Sequence, residues 1–180
     1  MKNHIAVEIF NILNEHIHIN QSKKSTKDGE IDSFHFIANL NSSFDFLLNK
    51  KDTIEKWILK DNDFFLSFLA GYIDAEGSFG VYNGFGCFAL GSYDHNIINQ
   101  IFRKLKLLGI KTETPHIMVK GGHIDKRGIR TFRDLWSLRI RRKNELYKFI
   151  NLIKSYIKHS KRKIDLLRVR KNIIPRLNTL

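Results

Sequence analysis

Hydrophobic and polar positions change their spacing several times along this 180-residue chain. The string DNDFFLSFLAGYIDAEGSF, residues 61–79, is apolar nearly all round through Phe64, Phe65, Leu66, Phe68, Leu69, Tyr72 and Ile73. That pattern predicts a helix buried on most of its surface, with Asp63 as its cap and Gly77 as its stop. Ser67, Gly71 and Ala75 recur at every fourth position and form a smooth stripe where a second helix backbone can come close.

Beyond the helix the period falls to two. Phe79 and Val81 alternate with Ser78, Gly80 and Tyr82, and Phe88 and Leu90 alternate with Cys87, Ala89 and Gly91. These are two half-buried strands, and Asn83-Gly84 between them reads as a hairpin turn. An amphipathic helix is expected over 95–108, ended by Gly109, and a third strand around 115–120 leads into the basic loop GGHIDKRGIR. In the fourth strand Trp136, Leu138 and Ile140 face one way and Ser137, Arg139 and Arg141 the other. A helix over 143–158 and a last basic helix from SKRKIDLLRVRKN complete the order α-β-β-α-β-β-α. The fold class expected is α+β, a twisted antiparallel sheet with helices on one face.

The leading residues echo the trailing ones. Ile9-Phe10-x-x-Leu13 matches Ile101-Phe102-x-x-Leu105, and FHFIANLNSSFDFLL at 34–48 resembles WSLRIRRKNELYKFI at 136–150. Residues 1–60 are therefore expected to be helix, strand, strand, helix, a partial repeat without its motif helix, ahead of a complete unit over 61–180.

Charge sharpens that division. Residues 1–60 hold 8 Lys, no Arg and 8 Asp or Glu, so the whole net charge of +13 falls on 61–180. A surface this basic attracts a polyanion, nucleic acid above all. The single cysteine, Cys87, excludes an internal disulfide and a four-cysteine zinc site, and suits a reducing compartment such as cytoplasm or an organelle. The eight histidines show no metal-ligand spacing. The first residues carry neither a signal-peptide nor a transit-peptide pattern, and no apolar run approaches the roughly 18 residues of a membrane span.

The candidate chemistry lies at the end of the apolar helix. Glu76 sits where the helix macrodipole disfavours negative charge, so its carboxylate needs a cation nearby. Two such helices packed side by side would bring two carboxylates together around a hard divalent ion. Mg²⁺ suits this arrangement, taking few carboxylates and keeping several waters.

The nine residues Leu69-Ala70-Gly71-Tyr72-Ile73-Asp74-Ala75-Glu76-Gly77 resemble the namesake string of the LAGLIDADG homing endonucleases, departing from it only at Tyr72 and Glu76. The resemblance implies the fold just described, its sheet forming a saddle on double-stranded DNA. It implies an intron-encoded, Mg²⁺-dependent nuclease that hydrolyses phosphodiester bonds at a long recognition site. Catalysis would rest on Glu76 and Lys161, with Glu76 and the Ala75 carbonyl as metal ligands. Asp74 would be structural, closing the helix end. The positions often held by Gln and Arg correspond here to Ser92 and Asn96.

Residues expected to contact DNA are Ser78, Tyr82, Ala89, Arg133, Ser137, Arg139 and Arg141 on the outward parity of the sheet. Lys120, Lys126, Arg127 and Arg130 are expected to hold phosphates. One motif helix supplies one carboxylate, so a second must come from elsewhere. Either two chains pair as a homodimer through Ser67, Gly71 and Ala75, or a separate chain supplies the missing front half. Two other functions share the fold: an RNA maturase assisting a host intron, and a DNA-binding protein that does not cut.

Overall fold

The computed structural model describes residues 17–26, 29–38 and 51–177. The chain divides into two compact units, Met1–Lys50 and Lys51–Leu180. In the first, β1 (Ile17–Thr26) pairs antiparallel with β2 (Gly29–Ala38). The helices expected before and after this pair lie outside the described residues.

The second unit begins ten residues earlier than the charge and the motif suggest, because residues 51–54 are tied to it by hydrogen bonds. A short helix α1 (Lys56–Lys60) leads into the motif helix α2 (Asn62–Glu76). The cap of α2 is Asp61, not Asp63: its carboxylate accepts the Phe64 N–H at 2.9 Å. Asp63 falls inside the first turn and instead accepts the Tyr156 hydroxyl at 2.6 Å. Phe65, Leu66, Leu69, Ala70 and Ile73 bury one face of α2, while Phe64 is exposed. The helix is therefore one-sided, not apolar all round in its surroundings.

Gly77 ends α2 with extended backbone, φ −87°. Glycine is needed there for space, since a Cβ would lie 2.9 Å from the Ile73 backbone. β3 (Gly77–Tyr82) starts at that residue and turns through Asn83 and Gly84 into β4 (Phe85–Ser92). Both turn residues have positive φ, 48° and 80°, the backbone of the tight hairpin that Asn-Gly favours. Helix α3 (His95–Leu107) follows. It ends where Ile110 N–H reaches Leu105 C=O (2.9 Å) and Gly109 N–H reaches Lys106 C=O (3.1 Å), with Gly109 at φ 77°. Its other end is capped from a distance, the Asp52 carboxylate accepting the N–H groups of Asn96 and Ile97 at 3.0 Å each. Gln100 holds the same segment by accepting the Ile54 N–H at 2.7 Å.

β5 (His116–Val119) and β6 (Leu135–Ile140) complete a four-stranded antiparallel sheet of order β3-β4-β6-β5. Helices α4 (Lys143–Ile153) and α5 (Ser160–Leu177) cover the apolar side. α4 is shorter than the 143–158 expected: the chain turns after Ile153, and the N–H groups of Lys158 and His159 go to Asp74. Phe79, Phe88 and Phe149 meet in the core with ring centroids 4.7–6.4 Å apart. Around them lie Ile98, Ile101 and Leu105 of α3, Leu146 and Ile150 of α4, and Val169 and Ile173 of α5. α5 comes so close at Gly86 that a Cβ there would be 3.0 Å from side-chain carbons of Val169 and Ile173. Among the described residues no helix is long and apolar enough to cross a membrane.

Candidate functional site

The end of α2 gathers the candidate chemistry. Glu76 is exposed and makes no hydrogen bond or ion pair among the described residues, and Ala75 beside it is exposed too. One turn back, the Tyr72 hydroxyl lies 2.6 Å from Ser92 Oγ and donates to Asp94 Oδ2 at 3.1 Å. Burial pushes the Tyr72 phenol well above its ordinary pKa, helped by the nearby carboxylates of Asp94 and Glu76. It is a neutral donor that fixes α2 on the sheet. Ser92 is thus buried in the network that supports the end of α2. Asn96 lines a shallow cavity with Asp52, Asn99 and Gln100.

Asp74 points the other way from Glu76. Its Oδ2 accepts the N–H groups of Lys158 and His159 at 3.1 and 3.0 Å, the two amides ahead of α5. A carboxylate there suits the positive end of a helix. This clamp brings the start of α5, including exposed Lys161, to the same end of the unit as Glu76. The structural role expected of Asp74 is what the geometry shows.

Among the described residues no three His, Cys, Asp or Glu side chains gather in a way that could hold a metal. One carboxylate and an adjacent carbonyl are half of a donor set for Mg²⁺, which needs only one or two carboxylates when waters and phosphate complete its shell. The residues present fit such a half-site.

The sheet face away from the helices carries the other candidates. Strand register aligns Ser78 with Ala89 and Ala89 with Arg139 across three strands. Tyr82 stands exposed at the hairpin. Arg139 is held in place, its Nε donating to Ser137 Oγ at 3.2 Å and its Nη2 to Met118 Sδ at 3.5 Å. Ser137 is only 1% exposed. It lies on the outward parity but beneath Arg139, so it positions that side chain and offers no free hydroxyl of its own. Arg141 is also committed, its guanidinium forked on Glu113 with Nη2–Oε2 2.9 Å. Exposed Arg133 lies over the Tyr93 ring, 5.5 Å from its centroid.

Lys120, Lys126, Arg127 and Arg130 are all exposed on the connection between β5 and β6. That loop is ordered by Asp125, which accepts N–H groups of Arg127 (2.9 Å) and Ile129 (3.0 Å) and the Arg127 guanidinium (2.8 Å). The Ile129 N–H, then Arg127, hold the Asp125 carboxyl below its ordinary pKa. Sequence reading missed Asp125, Glu113 and Met118. Of these only Asp125 had a local signal, since Asp-Lys-Arg-Gly is turn chemistry and Gly128 has φ 81°.

Comparison with known proteins bears on this arrangement. No curated protein matches the chain. Among solved structures, mesophilic variants of the homing endonuclease I-DmoI are 15% identical over 92% of this chain and 74% of theirs, with a TM-score of 0.50, a likeness of fold. Homing endonuclease I-CvuI, solved with the I-CreI target in 2 mM Mg, is 14% identical over 66% of this chain and 71% of its own, TM-score 0.43. I-TnaI, another homing endonuclease, is 20% identical over 61% and 71%, TM-score 0.41. Residues 63–154, just over half of the chain, match the family described as the LAGLIDADG-like domain. That span takes in the motif helix, all four strands of the sheet and the two helices that follow its hairpins, and the chain belongs to this family.

Proposed function

We propose that the protein is a site-specific endonuclease that binds double-stranded DNA on its exposed sheet face and hydrolyses phosphodiester bonds at Glu76. The carrying observation is the exposed Glu76 carboxylate, without a partner among the described residues, at the junction of the motif helix and the first strand of that sheet. A protein that only bound DNA would gain nothing from an acid beside phosphates.

Glu76 and the Ala75 carbonyl would hold Mg²⁺, which when bound supplies Lewis acidity to the phosphate and a more acidic water. Lys161, at the start of α5, would offset charge on the phosphate, a role supported by the Asp74 contacts that tie the start of α5 to the end of α2. Arg139 reads a base edge, and Lys120, Lys126, Arg127, Arg130 and Arg133 hold the backbone. Ser67, Gly71 and Ala75 are exposed along α2, and a Cβ at Gly71 would meet nothing within 4 Å outside its own helix. That open stripe supports pairing of two motif helices, each giving one Glu76, in a homodimer or with a separate chain that carries a front half-repeat. The β1–β2 pair supports reading the first unit as a partial repeat, because Phe34–Ala38 and Trp136–Ile140 end their strands at matched positions.

The test is cleavage of plasmids carrying candidate sites by the wild type and by Glu76→Gln, with Mg²⁺ and with EDTA. Cleavage is expected only from the wild type with Mg²⁺. An active Glu76→Gln protein would overturn the mechanism, and a wild type that binds duplex without cutting would leave a DNA-binding protein.

A further inference from the structure

A cleft of about 600 Å³ opens where the end of α3 meets the start of α4. Phe102 and Ile110 form its apolar part, and Lys106, Lys111, Arg141 and Arg142 bring four cations against a single acid, Glu113. Lys106, Lys111 and Arg142 are exposed and make no ion pair among the described residues. The acid is used up. Both Glu113 oxygens take the fork of Arg141, at 2.5 and 2.9 Å, and this contact holds the Glu113 carboxyl below its ordinary pKa. Among the described residues Lys106 and Arg142 face no acid but Glu113, and Lys111 has only the Glu145 carboxylate that accepts its backbone N–H, so the concave site keeps an excess of positive charge. A guanidinium fork fits the paired oxygens of a carboxylate and of a phosphate equally well.

The pair is poised for exchange. The Arg141 and Glu113 side chains are 60% and 33% exposed, and a pair so open to water contributes little net stability. Arg141 also follows directly from the outward row of β6, two residues beyond Arg139, so the cleft continues the sheet face. It is not the catalytic end. Gly77 pairs with Leu90, and Cys87, three residues further along β4, is level with Arg141. Three to four residues of strand rise and two strand spacings put Arg141 on the order of 15 Å from Glu76.

Resting on the DNA-binding reading above, we propose that this cleft seats a backbone phosphate of bound duplex DNA and that Glu113 is its placeholder. Glu113 occupies Arg141 in the free protein and yields it when the phosphate arrives. Lys106, Lys111 and Arg142 then close around the phosphate. Until that exchange the acid lowers attraction for stray polyanions at this flank.

The test is the salt dependence of duplex binding by the full chain. Each phosphate neutralised adds about 0.9 to the slope of log K against log salt. Displaced Glu113 regains a counterion, so part of that slope is masked in the wild type. Glu113→Gln is expected to bind more tightly and to steepen the slope by up to about 0.9, roughly a threefold extra loss between 50 and 200 mM salt. Lys111→Gln and Arg141→Gln are each expected to flatten it, with thermal unfolding confirming a folded protein. Equal slopes for wild type and Glu113→Gln on a duplex that both bind would overturn this proposal alone. A wild type that binds no duplex at any salt would overturn the DNA reading as well. Inorganic phosphate titrated into Glu113→Gln at fixed ionic strength provides the second arm. If it shifts the Arg141 side-chain resonance while the duplex slope stays unchanged, the cleft is a small-anion site and the duplex assignment falls.

Discussion

Removing the Asp74 carboxylate tests how the two ends of the motif unit are joined. In Asp74→Ala the N–H groups of Lys158 and His159 lose an acceptor at 3.1 and 3.0 Å. A hydrogen bond to a charged group contributes about 1.5–3 kcal/mol net, and loss of a helix cap costs about 0.5–2 kcal/mol. Lys158 is exposed and its amide can turn to water, whereas His159 is half-buried. The two therefore do not add in full, and a loss of about 2–3 kcal/mol is expected, with a midpoint about 5–10 °C lower for a chain of this size. Asp74→Asn keeps a carbonyl oxygen that can accept both protons, and should lose about 1 kcal/mol, the charged part of the contact. Urea unfolding followed by circular dichroism measures both, with m unchanged. A change within about 0.5 kcal/mol for Asp74→Ala would refute the clamp. If that stable variant had also lost all cleavage at low temperature, Asp74 would belong to the reacting centre.

Two further outcomes follow from the same contacts. Tyr72→Phe removes one hydrogen-bond partner each from Ser92 and Asp94, so a loss of about 0.5–1.5 kcal/mol is expected; unchanged urea stability would show the network to be idle. Glu145 is held below its ordinary pKa of 4.5, first by the Lys111 N–H and then by Lys148. It binds fewer protons folded than unfolded, so its stabilisation is complete above about pH 4.5–5 and fades as pH falls through the folded value. Glu145→Gln should therefore differ most from the wild type at pH 7 and converge with it towards pH 3, and a gap that stays constant with pH would contradict this.

What could be read from the sequence was what is local. The helix carrying residues 69–77, the alternation of Phe79, Phe88, Leu90 and Leu138, and the Asn83-Gly84 turn depend on neighbours a few positions away, and the structure has them as expected. The choice between Asp61 and Asp63 as cap was not local. α1 ends at Lys60 and Tyr156 claims Asp63, a partner 93 residues away. Glu113 and Arg141 are 28 apart, and Asp74 and Lys158 are 84 apart. Periodicity carries no information on such pairs. Ser137 shows the same limit in another form, since strand parity gives the side it faces but not that Arg139 lies over it. For the candidate site, the motif singles out Glu76, which the structure has exposed at the end of α2, and the fold adds which arginine of β6 is tied to Glu113.

The grip of Asp52 and Gln100 on α3 and on the backbone of Ile54 decides where this unit can be trimmed. A version starting at the motif helix would lose both acceptors of the Asn96 and Ile97 amides and bare the surface that Ile54 covers. One starting at Lys51 keeps them. For anyone transplanting the unit into another protein, the natural seam lies ahead of Asp52, ten residues upstream of the first residue that looks like part of the motif.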